Sequence, residues 1–216
     1  MEIIPTINVE TFEETKKRIE MVEPFTDWVQ LDISDGTFTP NVVWHNASDL
    51  LRIDTKVKIE VHLMIADLEK KIDDWFIAPV NRVIFQFEAA KDPNFLVSKC
   101  KDAGKEVGIS IAPGTSWTRL MPFCGKIDLF QVLAVNPGPS GQIFQEESLE
   151  KIKSIKENCP SAVVEVDGGV DLVVAKKILQ SGADIVNSAS AIYKDANTEQ
   201  NINEFKNAIS YKKKTD

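Results

Sequence analysis

A chain of 216 residues, 43% of them hydrophobic, is long enough to bury one sizeable core, and with no linker-like tract to divide it the whole of 1–216 reads as a single domain. A formal net charge of −8 repels phosphate backbones and anionic lipid over most of the surface, so nucleic acid and membrane are excluded as partners. The start Met1-Glu2-Ile3-Ile4-Pro5 lacks the basic flank of a secretory signal and no stretch approaches membrane-spanning length, which points to a cytoplasmic protein. Cys100, Cys124 and Cys159 are scattered without CxxC spacing, so they read as buried or incidental thiols rather than a disulfide framework or zinc site. The basic tail Lys212-Lys213-Lys214 reads as a short solvated end.

In chain order, residues 3–7 predict a strand and 11–22 a helix, with Phe12, Ile19 and Val22 at helical spacing. Residues 28–33 predict a second strand, followed by a polar loop through Pro40 and a brief helix at 47–52. His45, beside Trp44 on that loop, reads as a surface or loop-packing residue. A third strand covers 57–63 and its helix 68–76. The fourth pair is 83–87 with a helix from 94 to 103 ended by Gly104. Residues 107–111 lead through Pro113-Gly114 into a short helix carrying Leu120 and Met121. A sixth strand at 127–135 precedes a glycine-proline loop and a helix at 145–157. Strand 163–166 with helix 172–180, then strand 185–187 with helix 202–209, complete eight pairs. Strict alternation with a period of about 25 residues implies parallel strands, and eight units imply a closed (β/α)8 TIM barrel, with an open doubly wound sheet as the alternative.

In such a barrel chemistry gathers where strands end. Along strand 2, Val29, Leu31 and Ile33 share one face and Gln30 and Asp32 the other. The apolar face meets the helices, so Gln30 and Asp32 face the lumen. By the same alternation Lys58, Glu60 and His62 face inward from strand 3, Gln86 and Glu88 from strand 4, and Glu165 and Asp167 from strand 7. Gln30, Asp32, His62 and Asp167 share one layer, which is the donor composition of a divalent-metal site. Strands 2 and 7 lie three steps apart round the ring, so Asp32 and Asp167 approach a central ligand from opposed sides. One carboxylate can then remove a proton α to a carbonyl while the other returns one to the far face. A bound metal would stabilise the enediolate charge.

The second feature is anion binding. The run Val163 to Val170 is β-branched up to one carboxylate and then the pair Gly168-Gly169, which lets backbone approach a ligand. Gly138-Pro139-Ser140-Gly141 and Ser188-Ala189-Ser190 end the neighbouring strands. Three such loops side by side, near 136–142, 167–170 and 187–191, predict a phosphate pocket built from backbone amides.

These residues resemble the ribulose-phosphate 3-epimerase family over the whole chain. The matching pieces are Pro5-Thr6-Ile7, Leu31-Asp32-Ile33-Ser34-Asp35-Gly36 with Phe38-x-Pro40-Asn41, Val61-His62-Leu63-Met64, Val135-Asn136-Pro137-Gly138 with Gly141-Gln142-x-Phe144, Val166-Asp167-Gly168-Gly169-Val170, and Ser190-Ala191-Ile192. The resemblance implies a (β/α)8 barrel, Asp32 and Asp167 as the acid/base pair, and a divalent cation held by Asp32, His62, Asp167 and the residue at position 30. It implies a phosphorylated sugar of carbohydrate, pentose phosphate metabolism bound by Thr6, Met64, Gly141, Gly168, Gly169, Ala189 and Ser190, and a homo-oligomer.

Departures from the family pattern are equally informative. Gln30 stands where the family carries a histidine, Gln86 stands at another, and Ser34 and Ala134 replace methionines placed over the substrate. Val9, Ala112, Ser140 and Ala189 replace a serine, an asparagine and two glycines. With one imidazole exchanged for a weak amide oxygen, the zinc, iron, manganese or magnesium ion should bind weakly or be absent, with preference drifting to the oxygen-loving ions. Two functions follow: a metal-assisted epimerase of a ketose phosphate working by 1,1-proton transfer through an enediolate, or a catalytically impaired paralogue that binds a phosphosugar without turnover. A decarboxylase or aldolase on a similar barrel is disfavoured, because the Asp-x-Lys-x-x-Asp pattern is missing at strand 3.

Overall fold

β-Branched and aliphatic residues at every second position let each strand pack one face on helices while the other faces its counterparts across a lumen. In the computed structural model, which describes residues 1–210 and so leaves Lys212-Lys213-Lys214 outside, eight parallel strands close into a barrel in sequence order. The strands are β1 Glu2–Ile7, β2 Trp28–Ile33, β3 Lys58–Leu63, β4 Val80–Gln86, β5 Glu106–Ile111, β6 Leu129–Leu133, β7 Val163–Asp167 and β8 Ile185–Ser188. The helices are α1 Phe12–Val22, α2 Leu68–Lys71, α3 Pro93–Asp102, α4 Glu147–Asn158, α5 Leu172–Gln180 and α6 Thr198–Ile209. Short 3₁₀ segments, among them Ala47–Arg52 and Trp117–Phe123, stand where full helices are missing. Among the described residues no helix is long and apolar enough to cross a membrane.

Several boundaries shift for identifiable reasons. β4 starts three residues before the predicted 83, since Asn81 and Arg82 conceal it; Asn81 Oδ1 accepts from Ile59 N at 3.0 Å and Arg82 turns into the lumen. α6 begins at Thr198, four residues before the predicted 202, a start that its polar first turn hides because it carries no apolar period. The predicted helix over 68–76 breaks into α2 and a 3₁₀ turn, Ile72–Trp75. Caps fix other starts: Asp171 accepts from Val173 N and Val174 N at 2.9 and 2.8 Å, opening α5 directly after the glycine pair.

The main core lies between barrel and helices, where Val29, Leu31, Ile33, Ile59 and Val61 are fully buried. Each such side chain contributes about 1.5–3 kcal/mol. A separate cluster of Ile4, Trp28, Ile84, Leu129 and Ile185 plugs the lower lumen. Gly108 makes room for that plug, since a Cβ there would stand 3.0 Å from both Ile84 and Leu129. Above the plug the lumen is polar.

The cysteines correct the sequence reading. Cys124, just after the Trp117–Phe123 segment, is disulfide-bonded to Cys159, which caps α4, with Cα atoms 5.9 Å apart. Spacing in sequence gave no sign of this, because the barrel's curvature brings together two element ends 35 residues apart. Cys100 remains a free, buried thiol whose pKa burial pushes up to about 12. Closing a 35-residue separation should contribute about 4 kcal/mol through the unfolded chain, hence a melting shift on the order of 10 °C for a chain this size. Oxidised and reduced protein, and Cys124→Ser, compared by thermal denaturation provide the check; coincident curves would show that the bond contributes nothing.

Candidate active site

Register sets the layers. Gln30 pairs with Glu60, and Asp32 with His62, so β2 and β3 each place one inward residue at mid-depth and one nearer the mouth. From the opposite wall β7 supplies Glu165 below and Asp167 above. One pocket at the carboxyl end of the strands is lined by Asp32, His62 and Asp167 together with Thr6, Met64, Gly141, Gly168, Gly169, Ala189 and Ser190. Gln30 is fully buried below it.

The carboxylates and the imidazole form a tight group. His62 Nδ1 lies 3.5 Å from Asp32 Oδ1 and 3.8 Å from Asp167 Oδ2, and the three ligand atoms all fall within 4.8 Å of one another. Asn8 Nδ2 donates to Asp32 Oδ2 at 2.9 Å. Gln30 Nε2 donates to Asp32 Oδ1 at 2.9 Å and to Asp167 Oδ2 at 2.8 Å. The imidazole tautomer follows from its far side. Glu88 Oε2 accepts from Gln86 Nε2, so Gln86 presents its oxygen, at 3.0 Å, to His62 Nε2, which must therefore carry hydrogen. Nδ1 is left facing the carboxylates, buried and without a hydrogen-bond partner.

An imidazole lone pair aimed at two carboxylates calls for a positive charge between them, either a proton or a cation. Burial opposes charge on His62, but the neighbouring Asp32 and Asp167 outweigh it and raise its pKa. Asp167 is pushed up to about 6 by burial and by the charge of Asp32, against the pull of His62 and the Gln30 hydrogen bond. For a divalent cation, Asp32, His62 and Asp167 form a fitting donor set with His62 Nδ1 as the unpartnered ligand. Gln30 presents nitrogen, not oxygen, to this group.

Below the pair lies a layer that alternation along strands 4, 6 and 8 could have revealed but that was missed. Gln131, Arg82 and Asn187 all face inward, and Arg82 Nη1 donates at 2.6 Å to Oε2 of the fully buried Glu60. Burial pushes Glu60 up to about 7 and raises Glu165 well above the usual range, the latter helped by the charge of Glu60. Asn8 was missed for a different reason, since it lies past the end of β1 where alternation no longer applies.

The glycine loops pack on one another at close quarters. Gly169 has φ +69°, and a Cβ there would stand 2.5 Å from Phe144 N, so the β7 loop seats against the β6 loop only through glycine. Thr6 Oγ1, on the pocket wall, is buried and unpartnered. Ser34 lies under the β2 loop instead of over the pocket, sharing a 2.8 Å hydrogen bond with Thr39 and donating to Asn41 O at 2.8 Å. Ala134 packs in the main core, so of the three positions 34, 64 and 134 only Met64 reaches the pocket. His45 is exposed, its Nδ1 2.6 Å from Val43 O.

Residues 2–193 match the ribulose-phosphate 3 epimerase family. The ribulose-phosphate 3-epimerase of Schizosaccharomyces pombe is 27% identical, with 96% of this chain and 93% of that protein covered. The enzyme of the same name from Synechocystis is 30% identical over 93% of this chain and 90% of its own length. Among solved structures, a 3-hexulose-6-phosphate synthase superposes with a TM-score of 0.71 at 15% identity, covering 97% of this chain and all of that one. At that identity the likeness is one of fold.

The elevated Asp167 pKa fixes a stability signature in metal-free protein. A proton that the unfolded chain releases near 3.8 is retained in the fold up to about 6. The contribution of Asp167 is therefore fully present below 3.8 and is lost as pH rises through about 6. Thermal melts from pH 4 to 7 of chelator-treated wild type and Asp167→Asn should differ in slope over that window and run parallel above it. Parallel curves throughout would contradict the assignment.

Proposed function

The chain belongs to the ribulose-phosphate 3-epimerase family of carbohydrate isomerases, and on that premise we propose that it epimerises a ketose phosphate at C3, with Asp32 and Asp167 as the paired acid and base. The observation that carries this reading is the pair itself: two carboxylates on β2 and β7, at the floor of one pocket whose rim is the loops after β6, β7 and β8, the first two of them bearing glycines. An open-chain ketose phosphate bound there would place its phosphate against the backbone amides of residues 136–142, 167–170 and 187–191, with its C2 carbonyl and C3 between the aspartates.

Inversion at C3 requires a base on one face and an acid on the other. Asp167, which retains its proton to about pH 6, suits the acid role in one direction, and Asp32 removes the C3 proton from the opposite face. In the reverse direction the roles exchange. The negative charge of the enediolate develops beside the His62 ring, whose Nε2 hydrogen bond to Gln86 holds Nδ1 toward that region. A divalent cation held by Asp32, His62 and Asp167 would supply electrostatic stabilisation of the enediolate oxygens. Thr6 Oγ1 is free to donate to a substrate oxygen, and Met64 closes the apolar side.

Incubation with ketopentose and ketohexose phosphates in deuterated water, followed by proton NMR, should show deuterium entering at C3 together with the second epimer. Asp32→Asn and Asp167→Asn should each slow epimerisation by about 100-fold to 10,000-fold. Saturable phosphosugar binding in calorimetry with no C3 exchange for any substrate would replace this reading with that of a binding paralogue.

A further inference from the structure

The amide of Gln30 is gripped at both ends. Its Nε2 carries two hydrogens and meets two acceptors, Asp32 Oδ1 at 2.9 Å and Asp167 Oδ2 at 2.8 Å. Its Oε1 accepts from Gln131 Nε2 at 2.8 Å and from Asn187 Nδ2 at 2.6 Å. Those two nitrogens also reach Glu165 Oε1, at 2.7 and 3.1 Å, so their orientation is set from below. Gln30, Gln131 and Asn187 are all fully buried, and water is not at hand to replace a broken bond. The direction of the Gln30 amide is thus dictated twice, by acceptors above and donors beneath.

We propose that Gln30 is a positioning residue whose NH2 group takes the place of a bridging cation between Asp32 and Asp167, so that the amide and a cation compete for the same carboxylate oxygens. The two partial positive charges of the NH2 group, one for each carboxylate, hold the pair in register with no metal bound. A cation that coordinates the same two oxygens weakens those bonds, and turning the amide oxygen upward to join it would strip Gln131 and Asn187 of an acceptor they share. Gln30 therefore lowers cation affinity actively, as a competitor, rather than by being a weak ligand. The inference rests on Asp32 and Asp167 being the reactive pair, but its test reads metal affinity and not turnover, so the two can fail separately.

The two roles for Gln30 predict opposite signs. Zinc affinity is measured by competition with a chromophoric chelator on wild type and Gln30→Met, a variant of similar length without a donor or acceptor of comparable strength. Displacement of a competitor should raise affinity about tenfold, within the range by which residues around a metal site shift binding. Loss of a ligand would lower it, and either a fall or no change would overturn the proposal. Where Gln30→Met does not fold, Gln131→Met serves: it removes one of the two donors that hold the amide oxygen down, and should raise zinc affinity by a smaller factor. A fall or no change there would likewise overturn the proposal. A merely structural role for Gln30 predicts no gain in affinity in either variant.

Discussion

The hydrogen bonds from Gln30 Nε2 to Asp32 and Asp167 are the constraint on which the upper lumen depends. Two carboxylates whose nearest atoms share one donor, inside a closed ring of strands, would repel and splay if nothing positive stood between them. The amide prevents this, and everything beneath serves to aim it. Gln131 and Asn187 hold its oxygen, Glu165 holds those two nitrogens, and Arg82 neutralises Glu60 in the same layer. Within this network the Gln30 amide is paired at both ends, whereas Gln131 Oε1, Asn187 Oδ1 and Glu165 Oε2 are buried without partners, so the network fixes the direction of that one amide rather than satisfying every group.

A second chain of contacts ties the pair to the rim. His62 is fixed through Gln86 to Glu88, which accepts from Ala112 N at 2.9 Å and from the Thr115 hydroxyl. Lys151 on α4 in turn donates to the carbonyls of Ala112, Pro113 and Thr115. The imidazole orientation is thereby linked to the loop after β5, although no residue of that loop lines the pocket. On the other side, the glycines of the β7 loop press against Val135 and Phe144, which places bare backbone next to Asp167 with no intervening side chain. In the proposed reading, the acid/base group and the anion-binding backbone are adjacent residues of one strand and its turn.

Much of this was legible in sequence because strands alternate. Gln30, Asp32, Glu60, His62, Glu165 and Asp167 fall on inward positions as the period of two requires, and the closed barrel follows from eight repeats of one unit. Gln131 and Asn187 escaped although the alternation of β6 and β8 turns them inward, and the rest of what escaped lies outside what alternation encodes. Arg82 was hidden because β4 begins in a polar stretch, and Asn8 lies beyond a strand end. The direction of an amide is not written in its position: sequence shows Gln30 facing the lumen, but only its four partners show nitrogen turned to the carboxylates. The Cys124–Cys159 bond depends on the curvature of the outer layer, which no spacing rule reports.

The central claim is that two aspartates act from opposite faces of one carbon, and stereospecific isotope exchange tests it most directly. A variant lacking one of the two groups cannot complete inversion, but its surviving carboxylate can still remove and return a proton on its own face. Each epimer of the ketose phosphate, deuterated at C3, is incubated separately with Asp32→Asn and with Asp167→Asn in ordinary water. Loss of deuterium from one epimer only, with the two variants selecting opposite epimers, is the result the account predicts. Exchange of the same epimer by both variants, or of both epimers by either one, would contradict it.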